Sequence, residues 1–251
     1  MDNTKRFNGR AADYTSGRPG YSEQLINFMF NECGVSSRSF IADIGSGTGK
    51  FARQLLDKGS TIYCVEPNDD MRNTAESELS GYENFRSVKG GAEDTTLAAA
   101  SVDHITTAQA FHWFDVKKFR LECSRIIKPD GKVFLIWNVR DMDSPLNKEL
   151  FEIYSKYCSD FRGFSGGIKR DDPRIAEFFE NKYERVSFVE PLYLDKEKYI
   201  ARCLSGSYAL KEGDKFYPEQ MQALEVAFSK YSQNGIITIA NCSVAYFGSI
   251  K

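Results

Sequence analysis

SFIADIGSGTGKFARQLLDKGSTIYCVE, residues 39–66, holds a strand, a glycine turn, a helix and a second strand in one uninterrupted run. The β-branched run SFIADIG (39–45) ends on glycine and leads into the helical FARQLLDKG (51–59); TIYCVE (61–66) follows as the next strand. The same alternation continues outward: NDDMRNTAESEL as a helix, FRSVKG (85–90) as a third strand and SVDHITTAQA (101–110) as a fourth. VKKFRLECSRIIK (116–128) is amphipathic and stops at Pro129-Asp130-Gly131, a turn signal before the apolar run KVFLIWNV (132–139), which reads as a buried fifth strand. Repeated βαβ units predict a parallel sheet with helices on both faces. Ligands of such sheets lie at the carboxyl ends of the strands, which puts the chemistry near residues 45, 66, 91, 110 and 138.

Beyond Arg140 the pattern loosens into helices near 145–160 and 173–182, a strand-like RVSFVEPLYL (185–194), two more helices and a last strand, GIITIANCSVAYFG (235–248). Residues 1–35 are expected to form an N-terminal lid segment and first helix, 36–140 the ligand-binding core, and 141–251 a C-terminal part completing the sheet. Within that part, 141–182 is the expected lid or substrate-binding insertion; a plain outer helical layer is the alternative. A chain of 251 residues, 41% of them hydrophobic, can bury a full core.

The 33 basic and 35 acidic side chains nearly cancel and are interspersed, so no basic stripe points to a nucleic-acid backbone. The expected partner is a small molecule. The six cysteines are scattered singly, as reduced core thiols of a cytoplasmic protein are. The amino terminus lacks the apolar segment of a signal peptide, and no apolar run is long enough to span a bilayer. With two histidines and no clustered Cys or His spacing, no metal site is expected.

Three patterns compete for the turn Asp43-Ile44-Gly45-Ser46-Gly47-Thr48-Gly49-Lys50. A P-loop needs glycine where Ile44 stands and Ser or Thr where Phe51 stands. A dinucleotide fingerprint wants its third glycine at Lys50, one residue later than Gly49, which weakens a nicotinamide reading. The remaining pattern, an acid followed by three alternate glycines, with Glu66 ending the second strand, resembles the cofactor site of the class I S-adenosylmethionine-dependent methyltransferases. Gly45 and Gly47 lack a Cβ, so backbone can approach a methionine tail and ribose, and Glu66 is placed to accept both ribose hydroxyls. The resemblance spans roughly residues 5 to 140. It implies a Rossmann-like, doubly wound α/β fold: a mainly parallel seven-stranded sheet with an antiparallel C-terminal strand and a small helical lid or insertion. The implied cofactor is S-adenosyl-L-methionine, held by Arg18, Asp43, Gly45, Ser46, Gly47, Thr48, Glu66, Pro67, Met71, Ala92, Glu93, Gln109, Ala110 and His112. Gly91 stands where such enzymes usually have an acid for the adenine amine, so Ala92 and Glu93 are the expected replacements.

AQAFHWFD (108–115) crowds three aromatic rings and a histidine at the end of the fourth strand, where this family keeps the sulfonium and the acceptor. Aromatic faces stabilise a sulfonium and exclude water. Phe111, His112, Trp113 and Phe114 could wall such a chamber, although Phe111 and Phe114 read rather as packing of the next helix onto the sheet. The stretch lacks both the Asn/Asp-Pro-Pro-aromatic turn of nucleic-acid amine methyltransferases and the Pro-Cys nucleophile of pyrimidine-carbon enzymes. FNGRAADYTSGRPGYSEQL (7–25) together with AQAFHWFD resembles a narrower small-molecule group that includes trans-aconitate methyltransferase-like proteins. That resemblance implies a lid of Tyr14 and Arg18; Arg18-Pro19-Gly20-Tyr21 also reads as a loop into the first helix.

Methyl transfer asks the protein mainly to align acceptor and methyl. A carboxylate acceptor is ionised at neutral pH and needs only orientation, for which Arg140 and Arg18 are the natural forks, with Trp113 and Asn138 as further substrate contacts. A phenol acceptor would instead require His112 or Tyr14 as a base. The bland reading of Arg140 is a solvated pair with Asp141. A cofactor-binding regulator and a nicotinamide oxidoreductase are the alternatives, and either a monomer or a homodimer is compatible with the sequence.

Overall fold

The structure, a computed structural model, describes residues 20–164, 172–206 and 208–251. The chain enters through α1 (Glu23–Glu32) and then alternates β1 (Phe40–Ile44), α2 (Lys50–Leu56), β2 (Thr61–Val65), α3 (Asp69–Leu79) and β3 (Phe85–Val88). Next come β4 (Val102–Ala108), a short 3-10 turn over Phe111–Trp113, α4 (Val116–Ile126) and β5 (Ile127–Arg140). Two of these helices, α3 and α4, begin on side-chain caps that the sequence supplies. Asn68 accepts from the Met71 amide ahead of α3, and Asp115 from the Lys118 amide ahead of α4, each satisfying a donor the helix cannot.

The rest comprises α5 (Pro145–Tyr157), α6 (Pro173–Phe179), β6 (Glu184–Val189), β7 (Leu192–Leu194), α7 (Lys196–Leu204), α8 (Tyr217–Tyr231), β8 (Ile237–Ile239) and β9 (Asn241–Gly248). Seven strands form one sheet in the order β3-β2-β1-β4-β5-β9-β6, with β9 antiparallel to both neighbours. The doubly wound, mainly parallel fold expected from the βαβ pattern is the fold observed.

The run KVFLIWNV is buried because both its faces are covered. Val133, Leu135 and Trp137 join one core cluster with α4 and α6, while Phe134 and Ile136 join another with α1 and α2. Pro129-Asp130-Gly131 is not a turn that precedes the strand but an irregularity inside it. The β4–β5 register jumps from Val102 opposite Ile127 to His104 opposite Lys132, so the intervening residues bulge. Asp103 holds the bulge through Lys128 Nζ at 2.7 Å.

Both late strand predictions divide in two. RVSFVEPLYL breaks at Glu190-Pro191 into β6 and β7, and GIITIANCSVAYFG breaks at Ala240 into β8 and β9. β6 and β9 stay in the main sheet, whereas β7 and β8 pair as a separate antiparallel ribbon. That ribbon packs with α5, α7 and α8 around its own apolar cluster, which includes Leu150, Tyr154, Tyr199, Leu224 and Ile237. The additional layer draws on residues 146–161 and 192–239, while α6 returns to the main core.

Candidate active site

At the carboxyl ends of β1, β2 and β4 lies a cleft. The structure brings to it Gly45, Gly47, Glu66, Pro67, Met71, Ala92, Glu93, Gln109, Ala110 and Trp113 from the sequence-predicted set. Asn68, Gly91, Ala108 and Phe114 line it as well. Asn68 is readable in retrospect: an Asn directly after Glu66-Pro67 and ahead of a helix is a cap, and capping holds it at the rim.

The two glycines that the sequence singles out face different surroundings. A Cβ on Gly45 would come within 2.7 Å of the Ala110 Cβ and 3.1 Å of Phe114 Cζ, so the protein itself fills that space. A Cβ on Gly47 would meet nothing within 4 Å and would project into open space. Both residues are left-handed, at φ +69° and +57°.

Glu66 is 8% exposed, and each of its carboxylate oxygens accepts one backbone N–H, from Gly47 and from Asn68, both at 2.9 Å. Burial pushes its pKa above the usual carboxylate range, against the lowering effect of those amides and of the Arg72 charge. One lone pair on each oxygen remains for a ligand with adjacent hydroxyls. Gln109 adopts the left-handed region at φ +59°, unusual for a side chain of its size, and its Nε2 donates to the Asn138 carbonyl at 3.0 Å. Glu93 accepts from the Asp115 amide at 2.9 Å.

Other predicted residues lie off the lining. Asp43 is fully buried at the base of the glycine turn, and Ser46 and Thr48 belong to the turn itself. His112 packs against Trp113 with ring centroids 4.7 Å apart and planes tilted by 47°, and its carbonyl accepts from Arg174 at 3.5 Å. Phe111 is a core residue in edge contact with Trp137 and Phe178. Asn138 ties three segments together: its Nδ2 donates to the Gly20 carbonyl at 2.9 Å and its Oδ1 accepts from Ser243 at 2.6 Å. Tyr14 and Arg18 lie outside the described residues.

Arg140 is not the solvated partner of Asp141. It is 5% exposed, its guanidinium lies 4.3 Å from the Phe164 ring centroid, and its polar contact is Asn147 Oδ1 at 3.5 Å. Among the described residues no carboxylate lies within the 4.0 Å of an ion pair with it.

Residues 42–135 match the family model described as a methyltransferase domain. An uncharacterized methyltransferase of Mycobacterium bovis is 30% identical over 209 residues, 83% of this chain and 79% of that protein. An uncharacterized methyltransferase-like protein of Schizosaccharomyces pombe is 30% identical over 161 residues, 64% of this chain and 62% of its own. In fold, the chain superposes on the YcgJ protein of Bacillus subtilis with a TM-score of 0.59 at 21% identity, over 90% of this chain and 98% of that one. No helix among the described residues is long and apolar enough to cross a membrane. The glycine turn, the acid ending the second strand, the sheet order and the relatives agree, and the chain belongs to the class I S-adenosylmethionine-dependent methyltransferases.

Proposed function

We propose that this methyltransferase acts on a small molecule and transfers its methyl group to the oxygen of a carboxylic acid, within the trans-aconitate methyltransferase-like group. The observation that carries this reading is Arg140, a buried guanidinium without a counter-ion among the described residues. Burying such a charge is unfavourable unless a partner neutralises it, and an acidic acceptor would be that partner. A carboxylate arrives ionised and needs orientation rather than a base. The position of His112 outside the cleft lining accords with a reaction that uses none.

The cleft suits the cofactor chemically. Glu66 would accept the ribose hydroxyls, Gly47 would leave room for the methionine tail, and Met71, Ala92 and Glu93 would flank the adenine. Gln109, Ala110 and Trp113 would stand beside the reacting end, with Asn138 behind Gln109. When bound, the cofactor supplies an electrophilic methyl; the protein aligns the acceptor, excludes water and disperses charge. The layer built on α5, α7, α8 and the small ribbon would shape the acceptor side, since Arg140 reaches Phe164 and Asn147 there. We place the enzyme in a reducing, cytoplasmic setting, in keeping with six free cysteines.

Calorimetric titration with S-adenosylmethionine, then methyl transfer from labelled cofactor to a panel of small acids, phenols and amines, tests the reading. Ester formation on an acid that is lost in Arg140→Met, with cofactor affinity retained, supports it. Turnover confined to phenols or amines would overturn the carboxylate assignment.

A further inference from the structure

Asp43 lies near the end of β1, two residues before Gly45, and is 0% exposed. One carboxyl oxygen accepts from Thr106 Oγ1 at 2.8 Å; the other, Oδ2, has no hydrogen-bond partner. On β2 it faces Cys64 in register, and on β4 it faces Thr106. The charged group that acts on it is another acid, Glu66, just past the end of β2. Among the described residues no Lys, Arg or His nitrogen lies within the 4.0 Å of an ion pair with it. A fully buried carboxyl with an orphaned oxygen, a like-charged neighbour and no cation is disfavoured as an anion. Burial accordingly pushes its pKa up to about 7, the Thr106 bond opposing the shift and Glu66 adding to it.

The cofactor whose cleft lies against this turn carries a sulfonium and an ammonium. We propose that Asp43 is held as the neutral acid before the cofactor binds and gives its proton to solvent when the cofactor's positive charge settles on the glycine turn. The Asp43 O–H bond breaks, the electron pair stays on the carboxylate, and the proton passes to buffer; nothing is oxidised or reduced. The positive charge missing from the protein is thus supplied by the ligand, and cofactor affinity is linked to pH by a residue that need not touch the acceptor.

The proposal rests on S-adenosylmethionine being the ligand, and the test separates the two questions. Titration of the whole protein with S-adenosylmethionine at pH 6.5, in two buffers of different ionisation enthalpy, measures protons released per ligand bound. The linkage predicts about three-quarters of a proton at pH 6.5, close to none at pH 8.5, and an association constant rising about tenfold from pH 6 to pH 8. Asp43→Asn, nearly isosteric, should abolish both effects, which also distinguishes Asp43 from Glu66 in the cleft wall and from the ligand's own amine. Thr106→Val removes the bond favouring the anion and should move the rise in affinity to higher pH. Heats independent of buffer in the native protein, or the same release in Asp43→Asn, would overturn the proposal. Absence of binding altogether would instead overturn the ligand.

Discussion

Gly45 and Gly47 sit two residues apart in the same turn and are needed for different reasons. At Gly45 a methyl group would collide with Ala110 and Phe114, where the end of β4 folds close against β1. Gly45→Ala should therefore cost roughly 2–4 kcal/mol of stability through overpacking and a left-handed backbone, visible as a lower thermal midpoint. Gly47→Ala carries a backbone penalty of only about 1 kcal/mol, because the methyl group enters open cleft; its effect should be on cofactor affinity, weakened tenfold or more by calorimetry. Affinity unchanged in Gly47→Ala would remove this residue from the binding surface. Asp43 makes a separate stability prediction. Its pKa in the folded protein, about 7, stands above the unfolded value near 4. The native state thus binds more protons in that window, and stability falls as pH rises through it, then levels off above it. Chemical denaturation should show the native protein losing on the order of 2–4 kcal/mol between pH 4 and pH 8 from this group, a loss absent in Asp43→Asn.

At the scale of elements, the βαβ half was legible because strand and helix patterns alternate between glycine, proline and capping residues, even though the edge strand β3 has no buried residue. The C-terminal half was less so. RVSFVEPLYL carries a readable break at Pro191, since proline cannot donate to a ladder, but GIITIANCSVAYFG carries none at Ala240. That second break is set by tertiary contacts. The Ala240 carbonyl accepts from the Asp141 amide at 3.1 Å and from Asn147 Nδ2 at 2.8 Å, and Asn147 also donates to the Asp141 carbonyl at 2.8 Å. A fully buried asparagine thereby pins the two strands at which the chain leaves the main sheet for the smaller layer. No local pattern announces such a residue, and for the same reason the smaller layer could not be bounded from the sequence. Asn147→Ala removes one hydrogen bond from each of two carbonyls, which keep the Asp141 and Ser144 amides, and should cost roughly 1–3 kcal/mol. Hydrogen exchange should show α5, α7 and α8 losing protection while β1, β4 and β5 keep theirs; uniform loss would mean that Asn147 does not act as a local pin.

For the molecule as a whole, the decisive arrangement is that a strand of the main sheet ends with a charge inside the smaller layer's aromatic surroundings. Arg140 follows Asn138 by two residues on β5, and the Asn138 carbonyl accepts from Gln109 in the cleft wall, while Arg140 itself is not among the residues lining the cleft. A fold selected for stability alone would place an apolar side chain there. Replacing a buried charge that has no carboxylate within ion-pair distance among the described residues removes a desolvation penalty and is expected to be neutral to stabilising. Arg140→Met should accordingly melt at the same temperature or higher than the native protein while losing at least about a hundredfold in kcat/KM for an acidic acceptor, with cofactor affinity unchanged. Arg140→Lys, which keeps the charge but not the fork, should fall between the two in turnover. The opposite result, a destabilised Arg140→Met that still methylates acids normally, would make Arg140 a structural link between the two layers and leave acceptor selection to other residues.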